Sequence, residues 1–263
     1  MPLVLHRGND RRAGTAGFTL VELSVVIFMM GVLAALLLPA LSTAKEKSRR
    51  AVCQSNIHQL LLVLEYFAND NEDKLPSSAD NSGYYHSIRL SDQTFTNLVE
   101  LAGSSNIFYC PNIVFSPGSG TVARHDSYGY VIGYSYLANA IETTTKGNDY
   151  WVSPTKITDS PTNELIADAN YWTPNQSSSG SFPSGMKVAP HGAMGAATAH
   201  GSTFTVGLPV AASANAEKIL SESAGIGAVG GNIGFLNWSV TWRNISQMQT
   251  YSASSQMDGF GNW

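Results

Sequence analysis

Between Phe18 and Leu41 the chain carries 24 residues, FTLVELSVVIFMMGVLAALLLPAL, in which Glu22 is the only charged side chain. As a helix rising 1.5 Å per residue this run is about 36 Å long, enough to cross the hydrocarbon core of a bilayer. A secretory signal is the obvious rival, but its apolar region is usually about 7 to 15 residues and ends at a small-residue cleavage site. Here the run is longer, and the helical pattern continues past it. A carboxylate at the centre of a membrane helix costs about 2.5 to 3.5 kcal/mol, so Glu22 needs a partner or a shallow position. The first turn of the helix offers the latter, because the dipole favours an acid there and the headgroups are within reach.

Past Leu41, residues Cys53, Ile57, Leu60, Leu61, Leu64 and Ala68 recur at three-four spacing and make one apolar stripe. The helix is therefore predicted to become amphipathic, with its stripe covered by a sheet or a second helix. Asn69, Asp70 and Asn71 end the pattern ahead of Pro76. Charge changes sign along the chain. Arg7, Arg11 and Arg12 precede the apolar run, Lys45, Lys47, Arg49 and Arg50 follow it with Glu46, and from Asn69 onward 8 Lys and Arg face 15 Asp and Glu. That net of -7 argues against nucleic-acid binding by the C-terminal part and leaves proteins, cations or sugars as its partners. The basic group after the run reads as a headgroup contact, or more sharply as a contact between subunits.

The segment Gly17-Phe18-Thr19-Leu20-Val21-Glu22 resembles the prepilin peptidase recognition motif of type IV pilins and type II secretion pseudopilins. The resemblance implies cleavage after Gly17, methylation of the new Phe18 amine, and pairing of Glu22 with the Phe18 amine of a neighbouring subunit. It also implies a bend or local melting of the helix at Pro39. The implied organisation is a cytoplasmic leader over 1–17, a membrane helix over 18–41, an amphipathic continuation and linker over 42–75, and an extracytoplasmic head over 76–263. Partners would be the peptidase, other pilin or pseudopilin subunits, and lipids of a bacterial inner membrane, with the head in the periplasm or on an extracellular filament. Positive charge flanks both ends of the span, so the orientation comes from the resemblance and not from the positive-inside rule.

The remainder is rich in Gly, Ser, Asn and Thr, with short strand-like runs at Ile107–Tyr109, Tyr128–Tyr136, Glu164–Ala167, Phe204–Gly207 and Asn232–Trp242. An α+β fold follows, with a long N-terminal helix packed on an antiparallel sheet with long loops. The last run reads as a hairpin turning at Asn237 and Trp238. It resembles the terminal hairpin of pilin-like proteins with large heads, in which an Asp-Gly usually occupies the turn and a His-Gly often precedes it, as His191-Gly192 does here; Asn237-Trp238 at the turn departs from that pattern.

Cys53 lies on the stripe and Cys110 at an expected strand end, so a bridge between them would staple helix to head; otherwise they are two small buried side chains. His191 and His200, with Asp168 as a third member, are the candidates for a polar or metal site, although nine residues between histidines is no recognised ligand spacing. Calcium at an acidic loop involving Asp126, Asp149 or Asp168 is a further expectation, implied chiefly by the resemblance, since some pseudopilins carry calcium in their heads. Tyr84, Tyr85, Tyr171, Trp172 and Trp238 offer a sugar-binding surface or a core. Gly225 to Gly230 matches a dinucleotide pattern by letter but opens no helix, and no nucleotide-loop, zincin or serine-elbow motif occurs. A structural subunit is thus expected, not an enzyme. The rivals are a membrane-tethered module binding glycan or protein, and a tethered enzyme built on His191 and His200.

Overall fold

The computed structural model describes residues 18–113, 125–140, 151–172, 187–192, 195–200, 203–206, 227–255 and 259–263, of which 187, 195–200 and 203–206 are described by backbone alone. The chain separates into two compact units, Met1–Leu41 and Ser42–Trp263.

Helix α1 runs from Leu20 to Asn69 without interruption. Within the first unit every described side chain is exposed, and the helix contains a window of mean hydropathy 2.5 that is long enough to cross a membrane. Pro39 cannot donate to the carbonyl one turn back, yet the helical conformation continues through it, so the expected local melting is not seen.

In the second unit α1 is followed by β1 (Arg89–Leu90), α2 (Asp92–Ala102) and a 3-10 turn (Ser105–Phe108). Next come β2 (His125–Asp126), β3 (Gly129–Val131), β4 (Tyr134–Tyr136), β5 (Glu164–Asp168) and β6 (Tyr171–Trp172). The chain continues as β7 (Lys187–Gly192), β8 (Gly195–His200), β9 (Thr203–Val206), β10 (Gly230–Phe235), β11 (Val240–Asn244), β12 (Thr250–Ser252) and β13 (Phe260–Asn262). The strands form three antiparallel sheets in the orders β1-β3-β2, β11-β10-β5-β4 and β12-β13-β6-β7-β8-β9. The α+β, pilin-like architecture is present: a long apolar N-terminal helix and a head of antiparallel sheets.

The stripe on α1 organises this unit. Cys53, Ile57, Leu60, Leu61, Leu64 and Ala68 are all buried, as is Val63. They join one core with Tyr134, Ile166 and Ile233 from β4, β5 and β10. Contact is closest at Gly234, where a Cβ would stand 2.7 Å from Ile57 Cγ2 and 3.0 Å from Leu61 Cδ1. Glycine there lets the helix settle onto the strand, and Leu and Ile each gain about 1.5 to 3 kcal/mol from full burial.

Several expected elements differ. Ile107–Tyr109 is a 3-10 turn with its end, capped by the Ser104 hydroxyl accepting from the Asn106 N–H, and not a strand. The run Tyr128–Tyr136 divides at Ile132 and Gly133 into β3 and β4, which belong to different sheets. Gly133 is required there because a Cβ would stand 2.3 Å from the Cys110 backbone nitrogen. Helix α2 was not expected; Ser91 caps it, accepting from Thr94 N at 3.1 Å, and Gly103 closes it with φ 68°. The terminal hairpin forms as β10 and β11, with Trp238 N–H donating to Phe235 O. Trp238 takes φ 65°, a left-handed conformation that a bulky residue seldom adopts.

Leu61→Ala should lower the unfolding free energy of the head by about 2 to 5 kcal/mol. Gly234→Val should lower it by about 1 to 3 kcal/mol through overpacking against Ile57 and Leu61. Urea unfolding of the full chain in detergent, followed by tryptophan fluorescence, measures both.

Candidate functional site

Two features carry chemistry, one in each unit. The first is the start of α1. Glu22 Oε2 accepts from the Thr19 backbone N–H at 2.8 Å and from Thr19 Oγ1 at 2.7 Å, while Thr19 Oγ1 accepts from the Glu22 N–H at 3.2 Å. This is a reciprocal capping box, which satisfies backbone donors that a helix start otherwise leaves open. The sequence signal was the Thr-x-x-Glu spacing of Thr19 and Glu22, read earlier only as an acid in the first turn. Phe18 stands exposed, and Gly17 lies outside the described residues.

The second feature is a buried polar cluster at the head end of the stripe. Counting back one heptad from Cys53 along α1 reaches Glu46, which is 3% exposed. Its Oε1 accepts from Arg50 Nε at 3.0 Å and from His191 Nδ1 at 2.8 Å, and its Oε2 accepts from Asn112 Nδ2 at 2.8 Å. Asn112 also donates to the Pro190 carbonyl at 2.8 Å and accepts from Arg49 at 2.9 Å. The other face of the His191 ring looks to Asp168 at the end of β5, with Nε2 3.3 Å from Asp168 Oδ2. Asp168 is held in turn by Asn232 of β10, whose backbone N–H and side-chain amide donate to Oδ2 at 2.6 and 2.9 Å. Trp242 closes the cluster, with the Arg50 guanidinium 4.3 Å above its ring and His191 edge-on at 5.8 Å.

Cys53 and Cys110 lie in the same cluster as free thiols, sulfur to sulfur at 3.0 Å. The donor atoms of Cys53, Cys110, Asp168 and His191 all fall within 4.8 Å of one another, and all four residues are buried. Burial opposes a charge on His191, but hydrogen bonds with Asp168, Cys53 and Glu46 outweigh it and raise its pKa to about 11. Burial likewise works against the Glu46 carboxylate, yet His191, Arg50 and Asn112 hold it below the usual range. The Cys53 thiol is pushed up by its hydrogen bond with Cys110 and by burial.

Of the sequence candidates, the structure thus brings together His191, Asp168, Cys53 and Cys110. His200 ends β8, but its side chain lies outside the described residues. Asp126 does not join Asp168: it forms a bidentate pair with the buried Arg89, with Nη2 to Oδ2 at 3.0 Å, so its carboxylate is already engaged. Asp149 lies outside the described residues. The aromatic platform is not formed, because Tyr85, Tyr171 and Trp172 are buried while Tyr84 is exposed. The basic group after the membrane run is also not one surface, since Glu46 is buried and Arg49 and Arg50 bond inward to Asn112 and Gly192. Sequence reasoning missed Glu46, Asn112 and Asn232. Only Glu46 had a signal, as a polar residue on the extended stripe.

Among curated proteins, a type II secretion system core protein G of Klebsiella michiganensis is 43% identical over 61 residues, 23% of this chain and 43% of the relative. The protein of the same name from Pectobacterium carotovorum subsp. carotovorum is 44% identical over 62 residues, 24% of this chain and 39% of the relative. The chain spans about two fifths of the length of these relatives. The likeness lies in the N-terminal quarter, which is pseudopilin-like. No protein-family model matches the chain, and no solved structure matches it.

Glu46→Ala strands His191, Arg50 and Asn112 without their shared carboxylate and should cost about 3 to 5 kcal/mol of head stability. Glu72→Ala, at an exposed pair with Lys74, should cost no more than about 1 kcal/mol. Urea midpoints of the two variants provide the contrast.

Proposed function

We propose that the chain is a structural subunit of pilin or pseudopilin type, assembled through α1 into a type II secretion-like filament or a type IV pilus. The observation that carries the reading is one helix with two surfaces. Its first half presents exposed apolar side chains over a length suited to lipid or to other helices, and one face of its second half is buried in the head. The likeness of the N-terminal quarter to type II secretion system core protein G supports the same role.

On this reading the prepilin peptidase removes residues 1–17 and the new amine of Phe18 is methylated. The leader is cytoplasmic, the span crosses the inner membrane once, and the head is extracytoplasmic. Glu22 then has two uses. In the single chain it closes the capping box with Thr19 through Oε2, and a carboxylate has further lone pairs to offer. In the filament it accepts the charged amine of a neighbour's Phe18. An ion-paired hydrogen bond in an apolar surrounding recovers part of the cost of carrying the charge into hydrocarbon. The role is architectural and not catalytic.

Intact-mass measurement of the chain isolated from bacterial membranes should give a species beginning at Phe18 and carrying one added methyl group. A chain that keeps Met1, or that is cut elsewhere, contradicts the reading. Glu22→Ala should still insert into membranes but should lower the yield of cross-linked oligomers by about tenfold or more, the equivalent of one lost charge-assisted bond. Unchanged oligomers would favour a helix that serves only as an anchor.

A further inference from the structure

We propose that Cys53, Cys110, His191 and Asp168 form a four-coordinate site for a divalent transition metal of the zinc type, which ties α1 to the strands of the head. The inference is independent of the filament reading, since it rests only on the second unit.

The donor set is the first reason. Two sulfurs, one imidazole and one carboxylate suit a borderline-soft ion that accepts tetrahedral S, N and O ligands. Geometry is the second. At bond lengths of about 2.0 to 2.3 Å, ligands at the corners of a tetrahedron are roughly 3.3 to 3.8 Å apart. The observed separations, 3.0 Å between the sulfurs, 3.3 Å from His191 Nε2 to Asp168 Oδ2 and none above 4.8 Å, bracket that range. Small side-chain rotations therefore suffice to admit an ion.

The third reason is what the buried atoms lack. Asp168 Oδ1 is buried without a hydrogen-bond partner among the described residues, although Oδ2 of the same carboxylate meets Asn232 and His191. A buried polar atom in that state is costly, and a bound ion satisfies it. The fourth is the support around the donors. Glu46 accepts from His191 Nδ1, which turns Nε2 toward the sulfurs and makes the ring a better ligand. Asn232 fixes Asp168 through two hydrogen bonds. The backbone N–H of Asn112 points to Cys110 Sγ at 3.5 Å, the kind of bond that stabilises a thiolate.

Protons balance without a redox partner. The metal-free cluster has two thiols. Ligation requires each cysteine to lose its proton to solvent and His191 to present an unprotonated Nε2, and the ion's own charge makes the thiolates favourable in a buried place. Glu46 keeps its pairing with Arg50 in both states.

The test uses the full chain purified from membranes in detergent without chelator, with zinc content by plasma mass spectrometry, intact mass and reactive thiols measured on one sample. About one zinc per chain with both cysteines unbridged is expected. A mass lower by the two hydrogens of a Cys53–Cys110 bridge overturns the site in favour of a disulfide staple, and a metal-free chain with both thiols reactive overturns it in favour of a plain ion-paired core. Cobalt(II) added to the stripped chain should give intense visible bands of tetrahedral cobalt with a thiolate charge-transfer band, and Cys110→Ser should lose most of the latter. Should that variant not fold, Glu46→Gln retains all four donors and should weaken zinc binding about 10- to 100-fold. Unchanged affinity in Glu46→Gln contradicts the site as drawn.

Discussion

The packing of one face of α1 against the head governs the rest of the structure. Ile57 and Leu61 rest on β10 at Gly234, and the same face continues toward the N-terminus through Cys53 to Arg50 and Glu46. Along this face the surroundings change from hydrocarbon-like to polar within two turns. The apolar part supplies burial energy, while the polar part fixes register: Glu46 finds His191 and Asn112 only when α1 lies at one height against β7 and the loop after Cys110. A slip of one helical turn would part Glu46 from His191 and Asn112 and leave those buried polar groups without their shared carboxylate.

The membrane-length half of α1 and the apolar stripe were legible in the sequence because both depend on local composition and a 3.6-residue period. The stripe residues Cys53 through Ala68 are buried as that period requires. The head was less legible. Its strands are two to six residues long, and at that length an apolar run such as Ile107–Tyr109 fits a 3-10 turn as well as a strand. Gly133 splits what reads as one run because another backbone passes within reach of the missing side chain, a long-range fact with no local signature. Helix α2 escaped notice although Ser91 and Thr94 mark its start, since only Thr94, Phe95 and Leu98 are buried along it.

The polar cluster shows the same limit more sharply. Cys53, Cys110, Asp168 and His191 come from a helix, a loop and two strands, and no spacing in the sequence unites them. Topology does so: β5 lies beside β10, and a bridge from Gly192 to Ala228 ties the end of β7 to the approach to β10. Asn232 then stands opposite Asp168, and His191 falls between that carboxylate and Glu46. The start of α1 is the opposite case, since Thr19 and Glu22 are three residues apart and their capping box is local chemistry.

The two halves of α1 meet different demands, and the account turns on what surrounds the first half once the head has folded. Cryo-electron microscopy of material sheared from cells that produce the chain with a prepilin peptidase and an assembly motor tests this most directly. The account predicts a helical filament whose core is formed by the α1 segments from Phe18 to Leu41, with each Glu22 beside the N-terminus of an adjoining subunit. A chain found only as single membrane-anchored heads, with those segments in lipid and no filament, would contradict it.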